Sequence, residues 1–267
     1  MSAPTPPNAS RVRLRGGGFS PRLRPGWAWL TALVVVSMWQ AASGFGWVNE
    51  LMLPSPARVS SAFMDLFREG EIWRHLAASL QRIVGGWVVG TAAGLILGFG
   101  MGISTVVRSS GVPFVSAFFP IPKIALLPLF ILWLGIGEVS KLATIAFGVF
   151  FPTVVSTYTA IDSVPRNLIR MGQSFDLSPA SITWKILLPG ALPGILAGFR
   201  ISSSIALILV VAAEMIGAEY GVGALILTAG HLMQTDRLVA GVLLLSILGV
   251  LVGALLNYVE RRLLRWR

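Results

Sequence analysis

The sequence contains no cysteine. That excludes a disulfide framework, a thiolate metal site and a cysteine nucleophile. Charge is scarce: Asp, Glu, Lys and Arg make up 12% of 267 residues, where a soluble domain carries about a quarter. Little of such a chain can face water. His75 and His231 are the only histidines. They lack metal-ligand spacing and read as ordinary interfacial residues. The net charge of +10 does not point to nucleic acid, because the arginines stand between apolar runs, the topological pattern of a membrane protein. No Gly-x-x-x-x-Gly-Lys-Ser/Thr phosphate cradle is present, and the stretch Gly135 to Lys141 lacks its spacing. The chain therefore shows no nucleotide-hydrolysing loop of that kind. No catalytic triad or paired-carboxylate set is visible, so the chain does not read as an enzyme and holds no cofactor or metal of its own.

What the sequence has in abundance is apolar residues, 55% of the total, with a mean hydropathy of +0.78. A helix crosses the hydrocarbon with roughly 20 apolar residues. Uncharged runs at 25–49, 83–107, 142–161 and 238–259 each read as one span. Residues 201–218 form another, interrupted only by Glu214. The sixth, about 113–134, contains Lys123, Pro120, Pro122 and Pro128 and is expected to kink. The fold class is an all-α integral membrane protein with about six transmembrane helices. The membrane domain is expected over 26–267, after a disordered start rich in Pro, Gly, Ser and Arg over 1–25. A cleaved leader fits less well, since the first apolar run exceeds a signal-peptide core.

Six spans put both termini on one side. On that side fall Arg11, Arg13, Arg15, Arg22, Arg24, Arg108, Arg166, Arg170, Lys185, Arg200, Arg261, Arg262, Arg265 and Arg267, fourteen in all. Arg58, Arg68, Arg74, Arg82, Lys141 and Arg237 make six on the other. Positive-inside bias then places both termini in the cytoplasm. On the outer side, Ser55-Pro56 caps and opens a helix over about 55–70, ended by Gly70. Val59, Phe63, Leu66 and Phe67 give it an apolar face that would lie on the membrane surface.

The long cytoplasmic loop, about 162–198, reads as two short helices around a turn at Phe175-Asp176-Leu177-Ser178-Pro179. Pro165 opens the first, which includes Arg166, and Leu168, Ile169 and Met171 are its apolar positions. Ser178 caps the second, which carries Ile182, Trp184, Ile186 and Leu187 and is ended by Pro189. Short helices with exposed apolar groups make a docking surface for another protein.

This loop resembles the EAA motif of ABC importer permeases that work with periplasmic binding proteins. Ile186-Leu187-Leu188-Pro189, followed by Gly190-Ala191-Leu192-Pro193-Gly194, matches the end of the motif. Counting back, Asp176 stands where the family has Gly, and Arg170-Met171-Gly172 where it has Glu-Ala-Ala. Asp tolerates the left-handed geometry a Gly would supply. The reversed charge at Arg170 raises the possibility of an internal Arg170–Asp176 pair. Elsewhere, Leu53-Pro54-Ser55-Pro56, Ser79 to Gly86, Pro120 to Leu129, Trp133 to Glu138, Ala213 to Ile216 and Glu260 to Trp266 resemble the branch importing aliphatic sulfonates, taurine or nitrate. The resemblance runs from about residue 27 to the end. It implies a type I, MetI-like fold in the bacterial inner membrane and a homodimer of permease copies. It also implies two copies of an ABC ATPase subunit that bind ATP and Mg, and a periplasmic or lipid-anchored substrate-binding protein.

Four residues stand out as candidates for the pathway or gate. Glu214 lies in an apolar helix, where a carboxylate is a functional candidate by default, and Met215 follows it. Lys123 could face an anion or snorkel to a boundary. Arg200 precedes the fifth span. Ser202, Ser203 and Ser204 read as helix-packing residues. So do the glycines at 85, 86, 90, 94, 98, 100 and 102, which could serve a dimer interface. The terminal arginines read as anchors to membrane lipid. An ion-gradient-driven transporter would also account for broken helices and intramembrane charge, but the chain lacks a convincing internal repeat. An intramembrane enzyme or scaffold would act without an ATPase. The substrate itself is not written in the sequence: sulfonate, taurine, nitrate and a heterocyclic vitamin precursor all remain.

Overall fold

The computed structural model describes residues 25–265, and the described residues are helical throughout, with no strand. The expected unstructured start and the last two residues lie outside the described residues. Four helices are long and apolar enough to cross a membrane, or five if the bent pair over 105–134 is counted as one span. Helix α1 (Pro25–Gly44) forms where the first span was expected. It is exposed along most of its length. Trp39 Nε1 donates to Pro54 O at 3.0 Å and ties it to the next element.

Helix α2 (Pro56–Arg68) begins with Ser55 accepting from the Arg58 N–H and ends before Gly70, whose φ of 75° only glycine adopts freely. Its apolar face does not lie on the membrane surface. Val59, Ala62 and Leu66 are buried against Val222, Leu225, Ala240 and Leu244. The same periodicity that reads as membrane-facing amphipathicity serves a protein core once neighbouring helices supply the apolar partner.

Helix α3 (Glu71–Ile103) starts twelve residues before the uncharged run at 83, because Glu71, Arg74, His75 and Arg82 are accommodated at its start. Ser104 then breaks the chain and caps α4 (Thr105–Phe118). After a single 3-10 turn at Lys123–Leu126, α5 (Leu127–Leu134) follows, the pair being bent by 88°. Pro120 and Pro122 lie in the bend and Pro128 opens α5, each where a missing N–H costs nothing.

Helix α6 (Glu138–Asp162) is the centre of the bundle. Gly86, Gly90, Gly94 and Gly98 put one bare stripe of α3 against it. A Cβ at Gly94 would sit 2.8 Å from Phe150 O, and one at Gly90 would fall onto the Ala146 backbone. These glycines thus join helices of one chain rather than two copies. On the other flank, Gly194 and Gly198 let the next long helix approach Ala160 and Ser156. Small residues are how apolar helices gain van der Waals contact in lipid.

The loop after α6 folds as α7 (Arg166–Ser174) and α8 (Pro179–Ile182). Pro189 does not end the second helix. A π turn over Thr183–Leu187 leads directly into α9 (Leu188–Glu214), and the whole stretch Pro179–Glu214 is one continuous helix of 36 residues. The Leu188 N–H bonds to Thr183 O, five residues back. This widened turn makes room for the proline ring that an α-turn would clash with. Helix α10 (Val222–His231) and α11 (Thr235–Leu263) finish the fold.

Candidate functional site

Two regions stand at opposite ends of α6 and α9. The first is the α7–α8 hairpin at the C-terminal end of α6. Asp176 has φ 54°, a left-handed turn that a short polar side chain tolerates. Leu177 N–H closes the turn on Gly172 O at 3.1 Å, and Ser178 Oγ accepts from Ser181 N at 3.3 Å. Gly172 is buried. A Cβ there would meet Ile186 Cδ1 at 2.8 Å and Ile182 Cγ1 at 3.3 Å, so a small residue is needed where the two short helices touch. Leu168, Met171 and Phe175 form an exposed stripe on α7, and Trp184 is 69% exposed beyond it. Ile169 and Leu177 instead turn inward, lining a groove of about 610 Å³ with Arg108, Asp162 and Arg166. Ile186 and Leu188 are half-buried, whereas Pro189 is exposed. Among the described residues no ion pair joins Arg170 to Asp176, and both are exposed. The carboxylate paired in this region is Asp162, which holds Arg108.

The second region is a buried charge network at the other end. Glu214, the last residue of α9, is 1% exposed. Its carboxylate accepts from Ser79 Oγ at 2.8 Å, Arg82 Nη1 at 2.8 Å and the Gly223 N–H at 2.9 Å. Ser79 Oγ accepts from the Val222 N–H at 2.8 Å. Arg82 in turn donates to both oxygens of Glu138, at 2.6 and 2.7 Å, and to Tyr220 O at 2.6 Å. Lys141 reaches Glu138 at 3.4 Å. Two carboxylates and two cations thus cancel in a pocket where an isolated charge would be costly. They pin α3, α6, α9 and the loop before α10 together. His75 Nδ1 accepts the Gly221 N–H at 3.0 Å beside them.

Sequence reasoning singled out Glu214 and missed Ser79, Arg82 and Glu138. Arg82 and Lys141 had been counted as outer-loop charges, yet both are buried. The available signal was that each opposite charge stands at the edge of an uncharged run, at the same end of antiparallel spans. Met215 follows Glu214 and is 38% exposed. Arg200 points away from both sites, bonding Glu260 at 2.5 Å and Asn257 on α11.

Lys123 lies alone at the α4–α5 bend, near the midpoint of α6. Its ammonium donates to the carbonyls of Phe118 at 3.0 Å, Phe119 and Ile121 at 2.7 Å. It also lies over the rings of Phe119 and Phe151. Lys123, Glu214 and Arg200 are therefore three separate places, not one cluster.

A bundle of long apolar helices with an exposed helical hairpin at one end and a buried ionic clamp at the other is the build of a polytopic membrane protein. The chain belongs to the family of binding-protein-dependent transport system inner membrane components, which matches residues 90–265. It is 35% identical over 262 residues to the putative aliphatic sulfonates transport permease protein SsuC of Bacillus subtilis (strain 168), covering 97% of this chain and 94% of that protein. It is 35% identical over 241 residues to the taurine transport system permease protein TauC of Escherichia coli (strain K12), covering 88% of each. Among solved structures, an inward-facing MetNI methionine ABC transporter shares the fold, with a TM-score of 0.58 at 22% identity, over 72% of this chain and 94% of that one.

Proposed function

We propose that this chain is the permease subunit of an ATP-driven importer for a small organic anion of the aliphatic sulfonate or taurine type. The relatives' names support the substrate class, and family membership supports a binding-protein partner. In this reading two copies pair in the inner membrane with both termini cytoplasmic, and two ATPase subunits bind ATP and Mg. Each ATPase grips one α7–α8 hairpin through Leu168, Met171, Phe175 and Trp184. A substrate-binding protein delivers cargo on the opposite side.

The observation that carries the reading is the continuity of Pro179–Glu214. A helix of 36 residues is about 54 Å long, enough to span the bilayer. One end is the docking hairpin and the other is Glu214 in the ionic clamp. Movement imposed at the hairpin is transmitted through a rigid element to the far closure, as a two-state coupling mechanism requires.

The test is copurification and transport. Tagged chain in mild detergent should bring down an ATPase subunit, and Phe175→Glu with Trp184→Glu should abolish that capture while the chain stays folded. Uptake into vesicles should need internal ATP and survive collapse of the proton gradient. Uptake driven by the gradient without ATP would overturn the importer reading and favour a secondary transporter.

A further inference from the structure

Lys123 differs from every other cation inside the bundle. Arg82 and Lys141 are paired with carboxylates, whereas among the described residues no carboxylate pairs with Lys123. Its three bonds go to backbone carbonyls at the end of α4 and in the bend, which hold the ammonium in place without neutralising its charge. It lines a groove of about 300 Å³ whose other walls are Phe119, Ile124, Gly148, Pro152, Ile205, Ile208 and Leu209. Gly148 and Pro152 lie in the middle of α6, so the groove is at mid-membrane depth. Ile208 is 68% exposed and Ile124 is 46% exposed, so the groove opens outward from the single chain.

A lone charge facing hydrocarbon is expensive, and such residues face a bundle interior or a water-filled path. The Lys123 stem lies beside Gly148 in this groove, so its charge stands at the edge of a mostly apolar pocket, the usual lining of a small-molecule site. We infer that the groove at the α4–α5 bend is an anion-selective subsite of the translocation path, with Lys123 as the transient counterion of a monoanionic headgroup and Phe119, Ile205 and Ile208 against a short alkyl chain. The match is to an alkanesulfonate, whose charged head and apolar tail reproduce the polarity of the groove. This inference rests on the importer reading and names a substrate contact within it.

The experiment uses the complete transporter in proteoliposomes, with ethanesulfonate uptake and ATP hydrolysis measured side by side. Lys123→Met should lower uptake about tenfold or more, because it removes the uncompensated positive charge beside the groove. ATP hydrolysis stimulated by the loaded binding protein should persist, and Lys123→Arg should restore transport. Ile208→Asp places a carboxylate on the opposite wall. It should also depress uptake without loss of assembly, which keeps the inference testable if Lys123→Met fails to fold. Equal loss of uptake and hydrolysis in both neutral and acidic variants would make Lys123 a structural cap of α4 and overturn the inference. So would full uptake by Lys123→Met or by Ile208→Asp. If the wild-type transporter carries no sulfonate at all, the proposed substrate class fails instead.

Discussion

Removing Arg82 should be among the most damaging single changes outside the helix-packing glycines. Glu214 has a fully buried side chain and Arg82 one that is 7% exposed. Arg82→Met fills much of the same volume but leaves the Glu214 carboxylate with only Ser79 and the Gly223 N–H. Breaking a buried ion pair from one side costs about 3–5 kcal/mol. Glu138 adds little to that figure, because its side chain is 57% exposed and water can replace the lost bonds. For a chain of this size, such a loss lowers the melting temperature by about 10 °C. Glu214→Gln should cost less in itself, since an amide still accepts from Ser79 and Gly223, and Arg82 keeps Glu138 and the Tyr220 carbonyl. The double variant removes both buried charges, so it should be less damaged than the two single losses added together, by about 1–3 kcal/mol of coupling. The assay is thermal unfolding of the four purified proteins in one detergent, compared as a double-mutant cycle. Strictly additive losses, or an Arg82→Met protein melting within 2 °C of wild type (about 0.5 kcal/mol), would refute the clamp.

Gly90→Leu should prevent α3 from docking on α6, because even a Cβ collides with the Ala146 backbone; loss of folded protein by fluorescence-detected size exclusion is the check. Gly172→Ala should be tolerated, as the flexible end of Ile186 must shift and Ile182 Cγ1 must give by only a few tenths of an ångström. Gly172→Trp should separate the two short helices and abolish ATPase capture while the membrane bundle remains. Asp176→Gly should raise the melting temperature slightly by relieving about 1 kcal/mol of left-handed strain, with transport unchanged. Thr91→Val should be neutral or stabilising by about 1 kcal/mol, since Thr91 Oγ1 is buried without a partner among the described residues.

The sequence by itself determined the solvent of this fold. Its long uncharged runs need hydrocarbon around them, and helices are the backbone arrangement that satisfies hydrogen bonds there. The turn chemistry of Ser178-Pro179 and the end of the EAA motif were equally local, so the hairpin was legible as two short helices around a turn. Which residues face one another was not local. Four-residue glycine spacing marks a close contact without naming the partner, and only packing decided that α3 meets α6 within one chain. The apolar face of α2 carried the same ambiguity between lipid and protein. Pro189 reads as a helix end until a π turn absorbs it. Charge pairing was the least readable of all. Ser79, Arg82, Glu138 and Glu214 are spread over 136 positions, and a buried ion pair is set by distance in space and by exclusion of water. Tertiary structure alone brings those charges within 3 Å and turns a scatter of end-of-helix charges into a clamp.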